Sequence, residues 1–271
     1  MKLLNGQELA GYIKERQVHE VRALRQAHHV FPKLAIIRTN PDPVVDSYMK
    51  LKQAYGAEIL IDVDVHTVAQ NEAQNRITEL NADPTVHGII VQIPLPDPSQ
   101  TTDVLNSVDP AKDVDGLTEK TSFDPATPMA ITWLLAGYNT QLVGKRIVIV
   151  GHGRLVGQPL AKMWNVSGLD VVVADKNTAD LAAVTREADI IVTATGVPEL
   201  ITANMIKPNA VIVDAGVATD KNGLVGDVAT EVRSLPNITI TPVKGGVGPL
   251  TVCALFENVI RSARSAVEAQ I

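Results

Sequence analysis

Tyr48 and Lys52, in the run S-Y-M-K-L-K, stand four residues apart, so a helix puts both side chains on one face. A lysine beside a phenol in a partly apolar pocket binds its proton less tightly and can serve in proton transfer. The same spacing is also commonplace on a solvated helix face. Y-x-x-x-K is the short-chain dehydrogenase signature too, but there it follows the glycine loop, and here it precedes it. Gln92 interrupts the apolar run G-I-I-V-Q-I-P-L-P. A buried amide there must satisfy local backbone or point into a site. The stretch P-A-K-D-V-D-G-L gathers Lys112, Asp113 and Asp115 in a turn-prone segment, where a surface loop is the plain alternative.

A second group lies in R-I-V-I-V-G-H-G-R-L-V-G-Q-P-L, residues 146 to 160. Gly151, Gly153 and Gly157 stand where a strand meets a helix, so backbone can approach a pyrophosphate held at the positive helix end. The third glycine falls one residue late for G-x-G-x-x-G. Asp175 closes the next strand-like run, where a carboxylate accepts bonds from a ribose 2′-hydroxyl and repels a 2′-phosphate. That favours NAD. Lys176, His152 and Arg154 are each placed to meet a phosphate instead, so these residues leave NAD and NADP open. A second glycine-rich run, T-P-V-K-G-G-V-G-P-L-T (241 to 251), precedes a helix and reads as a tight turn or an anion-friendly helix start.

The elements that must position these groups alternate strand and helix in both halves of the chain. Helical spacing over 5 to 28, with Asn5 as cap, is followed by a strand at 33 to 39 and a helix at 44 to 58. An alternating strand at 59 to 68, a helix stopped by Pro84 and a buried strand from Gly88 complete the first half. From Arg146 the alternation restarts with near-continuous Val/Ile runs, the mark of strands covered on both faces. The expected fold class is α/β, with an N-terminal substrate domain and a C-terminal Rossmann-like, doubly wound parallel sheet. Residues 1–125 form the first domain, completed by 249–271, whose helix packs back on it. Residues 126–248 form the dinucleotide domain.

Composition narrows the function. The net charge of −6 and the 3% aromatic content argue against a nucleic-acid partner. One cysteine, Cys253, excludes a disulfide framework and a cysteine-based zinc site, and the six histidines show no metal-ligand spacing. No apolar run reaches the ~20 residues of a membrane span. The N-terminus turns polar too early for a signal peptide, so a cytoplasmic protein is expected.

Taken in order, Y-M-K-L-K, G-I-I-V-Q-I-P-L-P, K-D-V-D-G-L, G-H-G-R-L-V-G-Q-P, G-L-V-G-D-V and K-G-G-V-G-P-L-T resemble the bifunctional methylenetetrahydrofolate dehydrogenase/methenyltetrahydrofolate cyclohydrolase family. The resemblance runs along nearly the whole chain. It implies oxidation of 5,10-methylenetetrahydrofolate with NAD or NADP, then hydrolysis of the methenyl product to 10-formyltetrahydrofolate, within one-carbon metabolism and purine biosynthesis. It also implies a homodimer with the folate in the cleft between domains. By the same likeness Lys52 assists proton transfer, Tyr48 orders the folate, Gln92 tunes Lys52 and Asp115 holds the pterin. Gly246, Pro249 and Thr251 line the folate side. Gly151, His152, Gly153 and Arg154, with Val156 and Gly157, then Asp175, Lys176 and Val217, take the cofactor.

The chain departs from the family pattern in places. Gly151-His152-Gly153 replaces G-R-S, and Asp175-Lys176 replaces a histidine-serine pair, so residues that meet a 2′-phosphate are missing from a family whose usual cofactor is NADP. P-A-T-P-M-A loses a cysteine and a glycine of P-C-T-P-x-G, neither of which carries the chemistry, and Lys244 replaces a proline. Two rival readings have discriminating features. A shikimate-dehydrogenase-like enzyme should show N-V-T-x-P-x-K early, which is absent. A silent dinucleotide-binding protein should have lost Lys52, which is present.

Overall fold

The structure, a computed structural model, describes residues 1–41, 43–220 and 223–268. It divides into two compact units. One comprises Met1–Ala10 and Thr127–Thr251, and the other Gly11–Ala126 with the chain from Val252 onward. The first ten residues therefore group with the later half, whereas the sequence boundary put all of 1–125 in the first domain. Their strand β1 (Lys2–Leu3) explains this, because it pairs in parallel with a strand near residue 240. A two-residue strand has no periodicity of its own to announce that pairing.

Helix α1 (Gly6–Ala27) begins at Asn5, whose Oδ1 accepts the N–H groups of Gln7 and Glu8 at 3.1 and 3.3 Å, the cap expected from the sequence. After it come β2 (Lys33–Arg38), α2 (Pro43–Glu58), β3 (Asp62–Thr67), α3 (Ala73–Ala82), β4 (Gly88–Gln92) and the short α4 (Thr101–Asn106). The three strands form a parallel sheet in the order β3-β2-β4. Leu34 through Ile37 of the central strand are fully buried, which is why their run is unbroken. Edge strand β3 alternates exposed and half-buried residues, as its sequence does. The core beneath this sheet gathers Ala35, Ile37, Ile77, Leu80, Ile89 and Val91.

Helix α5 (Ala126–Gly137) leads into the other sheet: β5 (Ile147–Val150), α6 (Gly157–Val166), β6 (Val171–Ala174), α7 (Leu181–Arg186), β7 (Ile190–Thr193) and β8 (Val211–Asp214). An antiparallel hairpin of β9 (Ala218–Asp220) and β10 (Gly223–Val225) precedes β11 (Thr239–Ile240). The six-stranded sheet runs β1-β11-β8-β7-β5-β6, every pairing parallel. Strand order reverses direction at β5, so the gap between the carboxyl ends of β5 and β7 is the topological switch point where such sheets bind ligands. The last helix, α8 (Val247–Glu268), belongs to the first-half unit from Val252 onward, as expected of a helix packing back on it.

Candidate active site

Helix α2 carries Tyr48 and Lys52 one turn apart, and Gln92 closes β4. Lys52 Nζ donates to Gln92 Oε1 at 3.2 Å, while Gln92 Nε2 donates to the Ile93 carbonyl at 3.2 Å. The second bond fixes which end of the amide faces the lysine. Burial holds the Lys52 ammonium below its ordinary range, and the nearby Asp115 carboxylate works against that. Burial pushes the Asp115 carboxyl up, the Lys52 charge opposes it, and Asp113 adds to the rise. Desolvation outweighs the attraction for both groups, so the pair leans toward its uncharged forms. A lysine and a carboxyl whose charged forms are both disfavoured by burial thus lie near one another. Tyr48, 41% exposed, lies one helical turn before Lys52 on α2.

The loop that presents Asp115 explains its neighbours. Asp113 is buried, and its carboxylate accepts backbone N–H groups of Gly116, Leu117 and Thr118 at 3.2, 3.3 and 2.8 Å. Lys112 Nζ donates to the carbonyls of Leu80, Asn81 and Asp83 at 3.0, 2.8 and 2.7 Å, capping the carboxyl end of α3. Of the three charged residues in K-D-V-D-G-L, two therefore build the loop, and the third, Asp115, lies near enough to Lys52 for their charges to interact. Gly116 adopts φ +72°, and a β-carbon there would meet Pro125 N at 2.8 Å.

Two positioning residues escaped the sequence reading. Asn258 of α8 donates through Nδ2 to the carbonyls of Val114 and Asp124, both at 2.9 Å, and so holds the Asp115 loop from a distant part of the chain. Arg38, register partner of Gln92, sets Nη2 2.5 Å from Asp46 Oδ1 and ties the first turn of α2 to β2. A charged residue ending an apolar strand was the available signal for Arg38; Asn258 had none.

In the other unit, β5, the turn 151–156 and α6 form the expected strand-turn-helix. Gly151 has φ +104°, and its β-carbon would lie 2.6 Å from the Ala194 carbonyl oxygen. A β-carbon on Gly157 would sit 1.9 Å from the Gly151 oxygen. Both glycines are therefore forced by the turn. Gly153 has open space around its missing side chain, leaving room for a ligand or a larger residue. His152 and Arg154 are exposed on the same turn, with Val156 half-buried just before the helix. Asp175 and Lys176 follow β6 and are exposed. The Asp175 carboxylate accepts the Asn177 N–H at 2.8 Å and its Nδ2 at 3.4 Å, which leaves lone pairs for a ligand. Val217, 58% exposed, follows β8 on the same carboxyl edge.

The run at 241–251 leads into α8, which starts at Val247, two residues before the Pro249 read from the sequence, so Pro249 and Thr251 lie in its first turns. Thr251 Oγ1 bonds back to the Val247 carbonyl at 3.3 Å. Proline lacks the N–H that a first helical turn leaves unbonded, so it is tolerated there. Residues 243–246 make the bend before α8, with Gly245 at φ +82°, and a β-carbon on Gly6 would meet the Gly246 oxygen at 1.8 Å.

The tetrahydrofolate dehydrogenase/cyclohydrolase catalytic-domain model matches residues 4–115, and that family's NAD(P)-binding-domain model matches 125–267. The chain belongs to the tetrahydrofolate dehydrogenase/cyclohydrolase family. It is a dehydrogenase and a cyclohydrolase with a nicotinamide dinucleotide cofactor. It is 37% identical over 275 residues to the bifunctional protein FolD of Exiguobacterium sibiricum, covering 97% of this chain and 99% of that protein. The bifunctional FolD methylenetetrahydrofolate dehydrogenase/cyclohydrolase structure from Campylobacter jejuni is similar at a TM-score of 0.93 and 36% identity, covering 98% and 99% of the two chains. The Trypanosoma brucei FolD structure, complexed with NADP and inhibitor, is similar at 0.91 and 28%, covering 98% of each.

Proposed function

We propose that Lys52, Gln92, Asp115 and Tyr48 carry the folate chemistry of this family member, and that the turn from Gly151 to Gly157 with Asp175, Lys176 and Val217 holds its dinucleotide. The observation that supports the first assignment best is the Lys52–Gln92 bond at 3.2 Å, with burial lowering the lysine. Hydrolysis of the cationic methenyl carbon needs water to add and lose a proton. A neutral Lys52 amine takes that proton, Gln92 orients the amine, and the cationic substrate further disfavours a charged lysine. Asp115 holds the pterin through its N–H groups, and Tyr48 packs against the folate. Gly246, with Pro249 and Thr251 at the start of α8, lines the folate.

The bound dinucleotide accepts a hydride from 5,10-methylenetetrahydrofolate, and the protein's share in that step is alignment of two rings. The room at Gly153 and the forced glycines at 151 and 157 fit a backbone that approaches phosphates. We infer NAD as the preferred cofactor, because a carboxylate such as Asp175, just past β6, accepts bonds from a ribose 2′-hydroxyl and repels a 2′-phosphate. NADP remains the alternative, through His152, Arg154 or Lys176. A homodimer in the cytoplasm, with folates as its small-molecule partners and no nucleic acid or membrane, completes the proposal. The charge of −6 supports the absence of a nucleic-acid partner. Among the described residues no helix is long and apolar enough to cross a membrane.

One experiment tests both assignments: 5,10-methylenetetrahydrofolate oxidation with NAD and NADP in parallel, and methenyl hydrolysis, on wild type, Lys52→Ala and Asp175→Ala. Lys52→Ala should abolish hydrolysis and spare some oxidation. Equal loss of both in a folded variant would sink the Lys52 role. Asp175→Ala should weaken NAD use more than NADP use, and an unchanged ratio removes Asp175 from the ribose site.

A further inference from the structure

Two acidic residues outside these assignments lie at the carboxyl edge of the six-stranded sheet. Asp214 ends β8 with a side chain 5% exposed, and Asp227 is fully buried in the G-L-V-G-D-V run. Each occupies the space of a missing side chain beside the other. A β-carbon on Gly216 would lie 2.0 Å from Asp227 Oδ1, and one on Gly226 would lie 2.0 Å from Asp214 Oδ2. Asp214 Oδ1 accepts the Gly216 N–H at 3.2 Å, the Asp227 N–H at 3.0 Å and the Thr193 hydroxyl at 3.2 Å. Its Oδ2 accepts the Val228 N–H at 3.2 Å. Asp227 Oδ2 accepts the Thr195 N–H at 2.7 Å, while its buried Oδ1 has no hydrogen-bond partner among the described residues. Arg233 Nη2 stands 3.9 Å from Asp214 Oδ2, and its Nη1 donates to the Thr241 carbonyl at 2.7 Å.

These bonds converge on two loops. One, residues 194–197, leaves β7 beside Gly151; the other, 215–217, leaves β8 and ends at exposed Val217. A β-carbon on Gly196 would be 3.5 Å from the Val217 oxygen, so the loops run side by side. We propose that Asp214 and Asp227 form a reciprocal carboxylate clasp that positions loops 194–197 and 215–217 against the nicotinamide cofactor. This rests on the reading that the cofactor lies along that edge. A fold-stabilising role alone gives no reason to keep a fully buried carboxylate oxygen without a partner, since such a group costs stability. Burial raises the Asp214 carboxyl, the amides of Asp227 and Val228 offset this in part, and the Asp227 charge adds to the rise. The clasp is thus costly in itself, as expected of a device kept for loop geometry.

The test measures dissociation constants of NAD and NADP by titration, with cofactor-free methenyl hydrolysis as the control for folding. Asp227→Ala should weaken the preferred cofactor by about tenfold or more, from loss of the charge-assisted bond to Thr195, and leave hydrolysis within about twofold. Asp227→Asn, which keeps an acceptor for that N–H, should recover binding to within about threefold of wild type. Gly153→Asp puts a carboxylate in the open turn and should weaken binding independently. Weakened binding in Gly153→Asp with unchanged binding in Asp227→Ala overturns the clasp alone. Unchanged binding in both moves the cofactor off this edge and fails the site reading as well. Hydrolysis falling in step with cofactor binding in Asp227→Ala, with no rescue by Asp227→Asn, reduces the pair to a structural role and overturns the proposal.

Discussion

Replacing Gln92 by Glu changes one atom group and puts a carboxylate where the amide oxygen now accepts from Lys52. At the 3.2 Å separation, a unit negative charge favours the ammonium by about 1 kcal/mol with the screening of water, and by about 5 kcal/mol at an effective dielectric of about 20. Lys52 is half-buried, so the effect falls between these limits. Even the lower limit cuts the neutral amine near neutral pH by roughly tenfold. The sign follows from the role assigned to Lys52. A base whose proton affinity is lowered by burial is active from a correspondingly lower pH. An added anion moves that onset upward. Gln92→Glu should therefore lose about tenfold or more of cyclohydrolase rate near neutral pH and recover it as the pH is raised. Gln92→Ala, which adds no charge, should not show the upward displacement. Initial rates of methenyl hydrolysis across the pH range, extrapolated past the uncatalysed reaction, provide the assay. A Gln92→Glu profile whose rising limb coincides with wild type would refute the claim that neutral Lys52 is the base.

Two further outcomes are expected. Asp113→Ala leaves three backbone N–H donors around a buried site without their acceptor, at a cost of roughly 3 kcal/mol or more. Thermal unfolding should drop by roughly 6 °C or more, and folate binding should weaken because Asp115 rides on that loop. A variant of unchanged melting temperature would remove Asp113 from this role. Gly157→Ala must displace the Gly151 carbonyl, which a β-carbon would approach to 1.9 Å, so it should cost about 1–3 kcal/mol and most of the cofactor affinity. Full cofactor affinity in Gly157→Ala would mean the turn adapts and its geometry is not what holds the dinucleotide.

Alternating apolar runs, helix caps and ordered motifs were enough to read the α/β class, both sheets and the family. These features are local: an unbroken Leu34–Ile37 run already implies a strand covered on two faces, and Asn5 before a helical pattern implies its own cap. The residues proposed for the chemistry, Lys52, Gln92 and Asp115, stand out in the sequence because they sit in motifs whose order resembles a known family. Tertiary structure alone decided which charged residues do what. Asp113 and Asp115 are two positions apart in sequence, yet one is spent on backbone N–H groups and the other interacts with the charge of Lys52. Pairing of β1 with β11, Asn258 holding the Asp115 loop, and the reciprocal placing of Asp214 and Asp227 also required the fold. Each joins residues far apart in sequence, or depends on space left by an absent side chain. Hydrogen bonding and burial at that range depend on where the whole chain packs, and no local pattern encodes it.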